Sequence, residues 1–556
     1  MSIMRKCLNS SKSLLLILIA CSFICGFSCI ASTLAPLAQD FVDFESSLQK
    51  TIMCANDGEY ALGLLPQPLD RSPDNGRGDE ALCLETIADA NATLTDLKSG
   101  AVLYSRDNNG AKVSSSTASS QSKSSSSIPS SKDSNYDLRK NNRVTEVKDQ
   151  GSCGSCWCFA TIAALESSLL GSEGKVYDFS EQHLNAYNGF DYEQCSGGQQ
   201  QMATNYLARW RGPVSTKVVP YVPRSMKDSK AVQKHVKEVL WLPNRKDATD
   251  NDCIKQAILK YGALFISLRW EWTWSSKKGK NIGMYYCESN NSFYNYNDTT
   301  QNHAVSVVGW KDDYPRKNFC SKSEKQDNPN LATPPGDGAF IIKNSWGKSW
   351  GENGYFYVSY YDTSLSKPMA IATVDNTDDY TRKYEYDSLG LVGFIGIDNN
   401  ESGYFANVFT VDNNNRYVCA VGFFTPVIKC NCEIWVYDNI EQGSKSPISE
   451  KIVQHITVKE NYAGYHTIEL GNKNGYKISG KNFSVVVKCT SPGYNFQIPL
   501  EYQRSNYSSK SKRSVRGQSY IKGANKKDNW VDLVDESNDL LRFGNVCLKA
   551  FAKKSE

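Results

Sequence analysis

Cys153 and Cys156 stand three apart in the run Gln150-Gly151-Ser152-Cys153-Gly154-Ser155-Cys156-Trp157, between small residues and just before an apolar stretch with helical spacing. A cysteine in the first turn of a helix feels the partial positive charge of the helix N-terminus, which favours thiolate over thiol, and a neighbouring imidazolium adds to that effect. This is a setting for a nucleophile. Such a nucleophile needs a histidine to move its proton and a third group to orient the histidine. Five histidines are present, and His303 heads the alternating run His303-Ala304-Val305-Ser306-Val307-Val308. That pattern predicts a strand with His303 at one end of a half-buried sheet. Lys343-Asn344-Ser345-Trp346-Gly347 follows the apolar Ala339-Phe340-Ile341-Ile342. The Asn344 amide could accept a hydrogen bond from the far imidazole nitrogen, and the Trp346 indole could screen that bond from water.

These groups must be carried by defined elements. The residues from Phe159 to Leu170 predict a helix that starts at about Cys156, with Ser155 as N-cap, and stops before Gly171. Ser180-Glu181-Gln182 caps a second helix. The turn Cys195-Ser196-Gly197-Gly198 leads into a third, which runs through Leu207. From Gly212 to Tyr361 the pattern turns to β-type alternation, in Leu264 to Leu268, Val305 to Val308 and Tyr355 to Tyr360. Val144 to Val147 reads as a short edge strand before the Gln150 loop. Past Asp375 come short apolar-aromatic runs separated by Asn, Asp and Gly: Gly390 to Ile397, Tyr417 to Phe424, Cys432 to Tyr437, Tyr465 to Leu470, Phe483 to Val487 and Val546 to Ala552. Spaced this way they argue an all-β sandwich.

Taken together, QGSCGSCW, SEQHL at Ser180 to Leu184, QCSGG at Gln194 to Gly198, NHAV at Asn302 to Val305 and KNSWGKSWGENGYF from Lys343 to Phe356 resemble the papain-like cysteine peptidases. AGYHTIEL, FSVVVK, GQSY and NVCLKAF resemble the lectin-like domain that follows the peptidase in some bacterial and archaeal members. The resemblance implies an α+β fold, with a two-lobed catalytic domain (a helical lobe and a β-barrel-like lobe) followed by an all-β sandwich. It also implies Cys156 as nucleophile, His303 as base and acid, Asn344 as orienter and Gln150 as an oxyanion-hole donor. Gly197 and Gly198 would pair with the substrate backbone, Trp346 would be a substrate-side residue and a shield over the His303–Asn344 bond, and Cys153 would join Cys195. No metal and no cofactor are implied. Two departures stand out. A polar stretch between Asp312 and Asp337 reads as an inserted surface loop, and Ala186 and Tyr187 occupy the place where the family commonly has a cysteine. In many members an N-terminal segment blocks the cleft. Residues Leu64 to Leu69 are the part expected to lie across the catalytic domain, although the long helical pro-segment of the papain branch is missing and a plain spacer is the alternative.

Length and composition set the outer bounds. A chain of 556 residues suggests two or three domains. A net charge of +4 implies neither nucleic acid nor membrane as a general partner. Eighteen cysteines without finger spacing favour an oxidising compartment. Arg5, Lys6 and Lys12 precede an apolar run from Leu14 to Ile30, the layout of a secretory signal. Cleavage near Ala31, a lipoprotein-type box at Leu18 to Cys21, and an uncleaved N-terminal anchor all remain open, and such an anchor would be the only membrane contact. The expected organisation is therefore a leader at 1–31, a pro-segment-like region with a short helix at Phe41 to Leu48 and a Ser-rich linker at 32–132, a peptidase at 133–375 and a sandwich at 376–556. The expected location is extracytoplasmic, secreted or anchored to the cell surface. Expected partners are protein or peptide substrates, and a glycan or cell-surface polymer for the C-terminal domain. Two rivals are an adhesin with an inert papain-like unit and a transglutaminase-type acyl transferase, which typically orients its histidine with an aspartate. Cys158, His183, His235, His455 and His466 read as structural, the basic cluster from Arg504 to Arg516 as a solvated loop, and Trp435 and Trp530 as core or sugar-stacking rings.

Overall fold

The computed structural model describes residues 32–47, 61–69 and 129–554. The apolar leader and most of the Ser-rich tract lie outside the described residues. The chain divides into two compact units: one of residues 37–377, the other of residues 378–556 together with those up to Pro36. Of the described residues before 129, 32–36 fall in the second unit and 37–47 and 61–69 in the first.

In the first unit the nucleophile helix spans Cys156–Glu173, one turn longer than expected. Gly171 lies inside it, and the helix ends only at Gly174, which takes the left-handed conformation and caps Leu170 through its amide. The helix is buried almost all round, as Trp157, Ile162, Leu165 and Leu169 show, because helices pack on one side and a sheet on the other. Helix Glu181–Tyr187 starts at Ser180, whose hydroxyl accepts from the His183 amide. Helix Gln200–Ala208 follows the glycine turn. The β lobe is a run of neighbouring strands in the order His235–Trp241, Ser366–Asp375, Leu264–Leu268, His303–Lys311, Ala339–Lys343 and Tyr355–Ser359. These neighbours are antiparallel, with Leu268 opposite His303 and Lys343 opposite Ser306. Residues 144–147 form no strand. The edge position is taken by Asn135–Asp137, paired with His303–Lys311.

The insertion between Asp312 and Asp337 is anchored to the body rather than loose. Phe319, Asn328 and Leu331 are buried, and the Glu324 carboxylate accepts from the amides of Glu288 and Ser289.

In the second unit a six-stranded antiparallel sheet runs Ile452–Glu460, Cys430–Asp438, Asn482–Thr490, Ser402–Thr410, Ser519–Gly523 and Val531–Asp532. A second layer includes Leu548–Lys553, Tyr417–Thr425 and Ala463–Glu469. The layers meet through Phe405 and Phe423 and through the Asn407 amide, which donates to the Leu548 carbonyl at 2.8 Å. Cys430–Asp438 alternates buried and part-exposed residues along its length, the mark of a strand with one core face. The strand Ser32–Leu34 pairs antiparallel with Gly393–Ile397 in this unit, with Ser32 opposite Ile397.

Candidate active site

Three separate elements bring the chemistry together. Cys156 opens its helix; the neighbouring strand His303–Lys311 brings Ala304, whose amide donates to the Cys156 Sγ at 3.4 Å. His303 Nε2 lies 2.9 Å from the Asn344 Oδ1. That same oxygen accepts from the Ser345 amide at 2.9 Å. Two donors on one atom fix the amide orientation, so Nε2 carries the imidazole proton and Nδ1 is left with its lone pair. Nδ1 is buried with no hydrogen-bond partner. Trp346, expected on the substrate side as well as over this bond, is 1% exposed and stacks on the imidazole with ring centroids 4.7 Å apart. Its place is that of a shield.

Gln150 is held from several directions. Its amide donates to the Ser345 carbonyl at 2.9 Å, its Oε1 accepts from the Ser345 hydroxyl at 2.6 Å, and its own carbonyl accepts from the Tyr221 hydroxyl at 2.9 Å. This leaves Nε2 as a donor of fixed direction, and it donates to the carbonyl oxygens of Cys153 and Ala61, each at 2.9 Å. Cys153 and Cys195 are joined in a disulfide that ties the nucleophile loop to the glycine turn.

Ala61 belongs to an N-terminal segment that lies along the site. The Gly63 and Leu64 amides donate to the Asn302 carbonyl. The Leu65 amide donates to the Gly198 carbonyl at 2.8 Å, and the Gly198 amide donates to the Gly63 carbonyl at 3.0 Å. Of the expected backbone contacts Gly197 and Gly198, Gly198 therefore pairs with this segment. A Cβ on Gly63 would sit 2.3 Å from the Gly154 backbone, and one on Gly198 would enter the Trp157 ring, so both close approaches require glycine.

Burial sets the ionisation of the pair in this state. Desolvation, outweighing the helix amides, raises the Cys156 thiol to about 12, and desolvation lowers His303 to about 4 against the favourable bond to Asn344. In this state the pair is neutral, and no hydrogen bond joins the sulfur to the imidazole.

A buried charge cluster behind the site has no signature in the sequence. The Lys148 ammonium lies 3.2 Å from Glu166, 2.8 Å from Glu181 and 2.8 Å from Asp178. Thr145 donates to Glu166 at 2.6 Å, and Lys343 donates to the Thr145 carbonyl at 2.9 Å. Burial raises Glu181 and lowers Lys343 to about 8. The cluster fixes the stretch leading to Gln150 against two helices and the strand before Asn344. Among the other histidines, His183 is a buried packing residue whose Nδ1 meets the Tyr206 hydroxyl at 2.7 Å.

Comparison with known proteins agrees with this geometry. Residues 132–372 match the family model described as papain family cysteine protease, and residues 383–552 match a lectin like domain. Pro-cathepsin H of Mus musculus is 33% identical over 223 residues, covering 40% of this chain and 58% of that protein. Cathepsin K of Mus musculus is 32% identical, covering 39% and 57%. The chain thus spans little more than half the length of these curated relatives. Among solved structures, the cysteine protease and lectin-like domains of Cwp84, a surface layer associated protein of Clostridium difficile, align with a TM-score of 0.66 at 21% identity, covering 95% of this chain and 100% of that one. Cwp84 after propeptide cleavage aligns at 0.62 and 24% identity, covering 76% and 99%. At these identities the likeness speaks for the fold. On fold, site geometry and family match together, the chain carries a papain-family cysteine protease domain followed by a lectin-like domain.

Proposed function

We propose that the chain is an extracytoplasmic cysteine endopeptidase, secreted or anchored at the cell surface, whose site is kept latent by residues 61–65. The observation that carries this reading is the donor set of Gln150. Its Nε2, with no freedom to turn away, already holds a peptide carbonyl, that of Ala61, as an oxyanion donor would hold the carbonyl under attack.

With the segment gone, water and substrate reach Cys156 and His303, and the helix N-terminus can favour the thiolate beside an imidazolium. The thiolate attacks the substrate carbonyl, and the Gln150 amide and the Cys156 backbone amide hold the oxyanion. His303 Nδ1–H protonates the leaving amine while the Nε2–Asn344 bond keeps the ring in place. His303 then takes a proton from water, which hydrolyses the acyl-enzyme. The Gly197-Gly198 turn would align the substrate backbone. The lectin-like unit would hold the enzyme near a glycan-bearing surface or polymer.

The test is to remove the N-terminal segment, assay hydrolysis of a peptide library, and then alkylate with iodoacetamide and map the modified residue. Hydrolysis should be lost in step with modification of Cys156. Full alkylation of Cys156 with hydrolysis retained would refute the proposal.

A further inference from the structure

The outward face of the six-stranded sheet in the lectin-like unit is not the polar surface such a face usually presents. Tyr404, Trp435, Tyr437 and Trp530 lie partly buried on it, packed against Ala406, Val408, Ile440, Val486 and Tyr520. One end of this apolar strip is covered by the protein's own chain. Ile440 is buried there, and the Tyr520 hydroxyl donates to the Ser444 carbonyl at 2.7 Å. The other end is only partly covered. There Tyr404 meets Trp435 and Trp530, with ring centroids 6.3 Å and 6.1 Å apart, and the half-exposed His455 stacks on Trp435 at 4.6 Å.

The polar groups around these rings decide what the strip could hold. The indole N–H groups of Trp435 and Trp530 and the Tyr404 hydroxyl have no hydrogen-bond partner among the described residues. Strand register sets Glu433, Lys488, Tyr404 and Lys522 side by side across four strands. Lys488 pairs with Glu433 at 2.8 Å. The Lys522 ammonium sits 4.9 Å over the Tyr404 ring and has no acidic partner among the described residues. At about 4.8 Å between strands, this row is about 14 Å long. It combines flat apolar faces with unspent donors at their rims and a mixed-sign border.

We infer that this partly covered end, with Tyr404, Trp435 and Trp530 as its platform and Lys522 and the Lys488–Glu433 pair at its rim, binds a chain of linked sugar rings. A pyranose has the complementary surface: C–H faces that lie on aromatic rings and a rim of hydroxyls that take indole N–H, ammonium and carboxylate partners. A lipid would leave the donors unpaired. The inference rests on the glycan-holding role proposed above and gives it a site; the peptidase chemistry is independent of it.

The test is affinity electrophoresis of the full chain through native gels containing hydroxyethylcellulose, mannan or polygalacturonate, which separate neutral from uronate-bearing chains. At least one polysaccharide should retard the protein. Trp435→Ala and Tyr404→Ala should each weaken that retardation at least tenfold, and Lys522→Gln at least threefold, with far-UV circular dichroism and peptide hydrolysis unchanged. Retardation of the wild type that all three variants keep would overturn this site and leave the glycan-holding role standing. No retardation by any of the three polymers would overturn both.

Discussion

Gln150 is the residue that the geometry holds most narrowly, since three hydrogen bonds fix its position and leave Nε2 as a donor of set direction. In the enzyme freed of its N-terminal segment, Gln150→Ala is expected to lower kcat roughly 100-fold with little change in KM, as deletion of an oxyanion donor does. Steady-state kinetics check this, and a near-normal kcat would assign Gln150 another task. Lys148 is expected to matter for folding rather than turnover. Lys148→Met would leave Glu166 and Glu181, 1% and 2% exposed, without their shared cation, at a cost of roughly 3–5 kcal/mol. Denaturant titration measures that loss. Cys156, His303, Asn344 and Gln150 were legible in the sequence because each sits in a short motif whose residue types serve one reaction. Lys148, Glu166 and Glu181 were not, since three charges spread over thirty-odd residues look like an ordinary solvated surface until the fold buries them. The ionisation of Cys156 in the folded chain was not legible for a related reason: the helix N-terminus is local and visible in the sequence, whereas the desolvation that outweighs it comes from burial in the fold.

Among the elements, residues 61–65 give the sharpest expectations. Gly63→Ala would press a methyl group into the Gly154 backbone, so the unprocessed chain carrying it should show raised basal peptide hydrolysis, while the processed enzyme is unaffected. An unprocessed Gly63→Ala chain as silent as the wild type would contradict the close approach. Closure should also depend on pH. Burial holds the Cys156 proton up to about 12 in the closed state, whereas the opened pair can give up its last proton from about pH 9, so closure is full below about 9 and weakens as pH rises toward 12. Limited proteolysis of the segment should be slower below about pH 9 than above it. The helices and the strands flanking the site were readable from period and capping. Ile452–Glu460 was not, because as an edge strand it keeps only Ile456 and Val458 in alternation, with Gln454 breaking the stripe and Ile452 exposed. Ser402–Thr410 was passed over although Phe405 and Phe409 bury its inner face.

For the whole molecule, the N-terminal region contributes to both units: Ser32–Leu34 as a strand beside Gly393–Ile397, and residues 61–69 along the peptidase site. A single cut in the tract 114–128 should therefore leave a fragment that stays with the protein on gel filtration and separates only in denaturant. Release of the fragment under native conditions would show that these pairings are too weak to retain it. Composition separated the helical, β-alternating and short-strand regions well, but it gave no hint that residues 32–36 join the C-terminal unit, because three residues of strand carry no periodic signal. The proposed chemistry turns on Cys156 as the nucleophile of a peptidase. The most direct test is hydrolysis of a fluorogenic peptide by the processed wild type and by the Cys156→Ala variant, compared at equal concentration and with matched circular dichroism. The wild type should turn over in a thiol-dependent manner and the variant should not exceed the enzyme-free blank, whereas turnover by the variant above that blank would contradict the account.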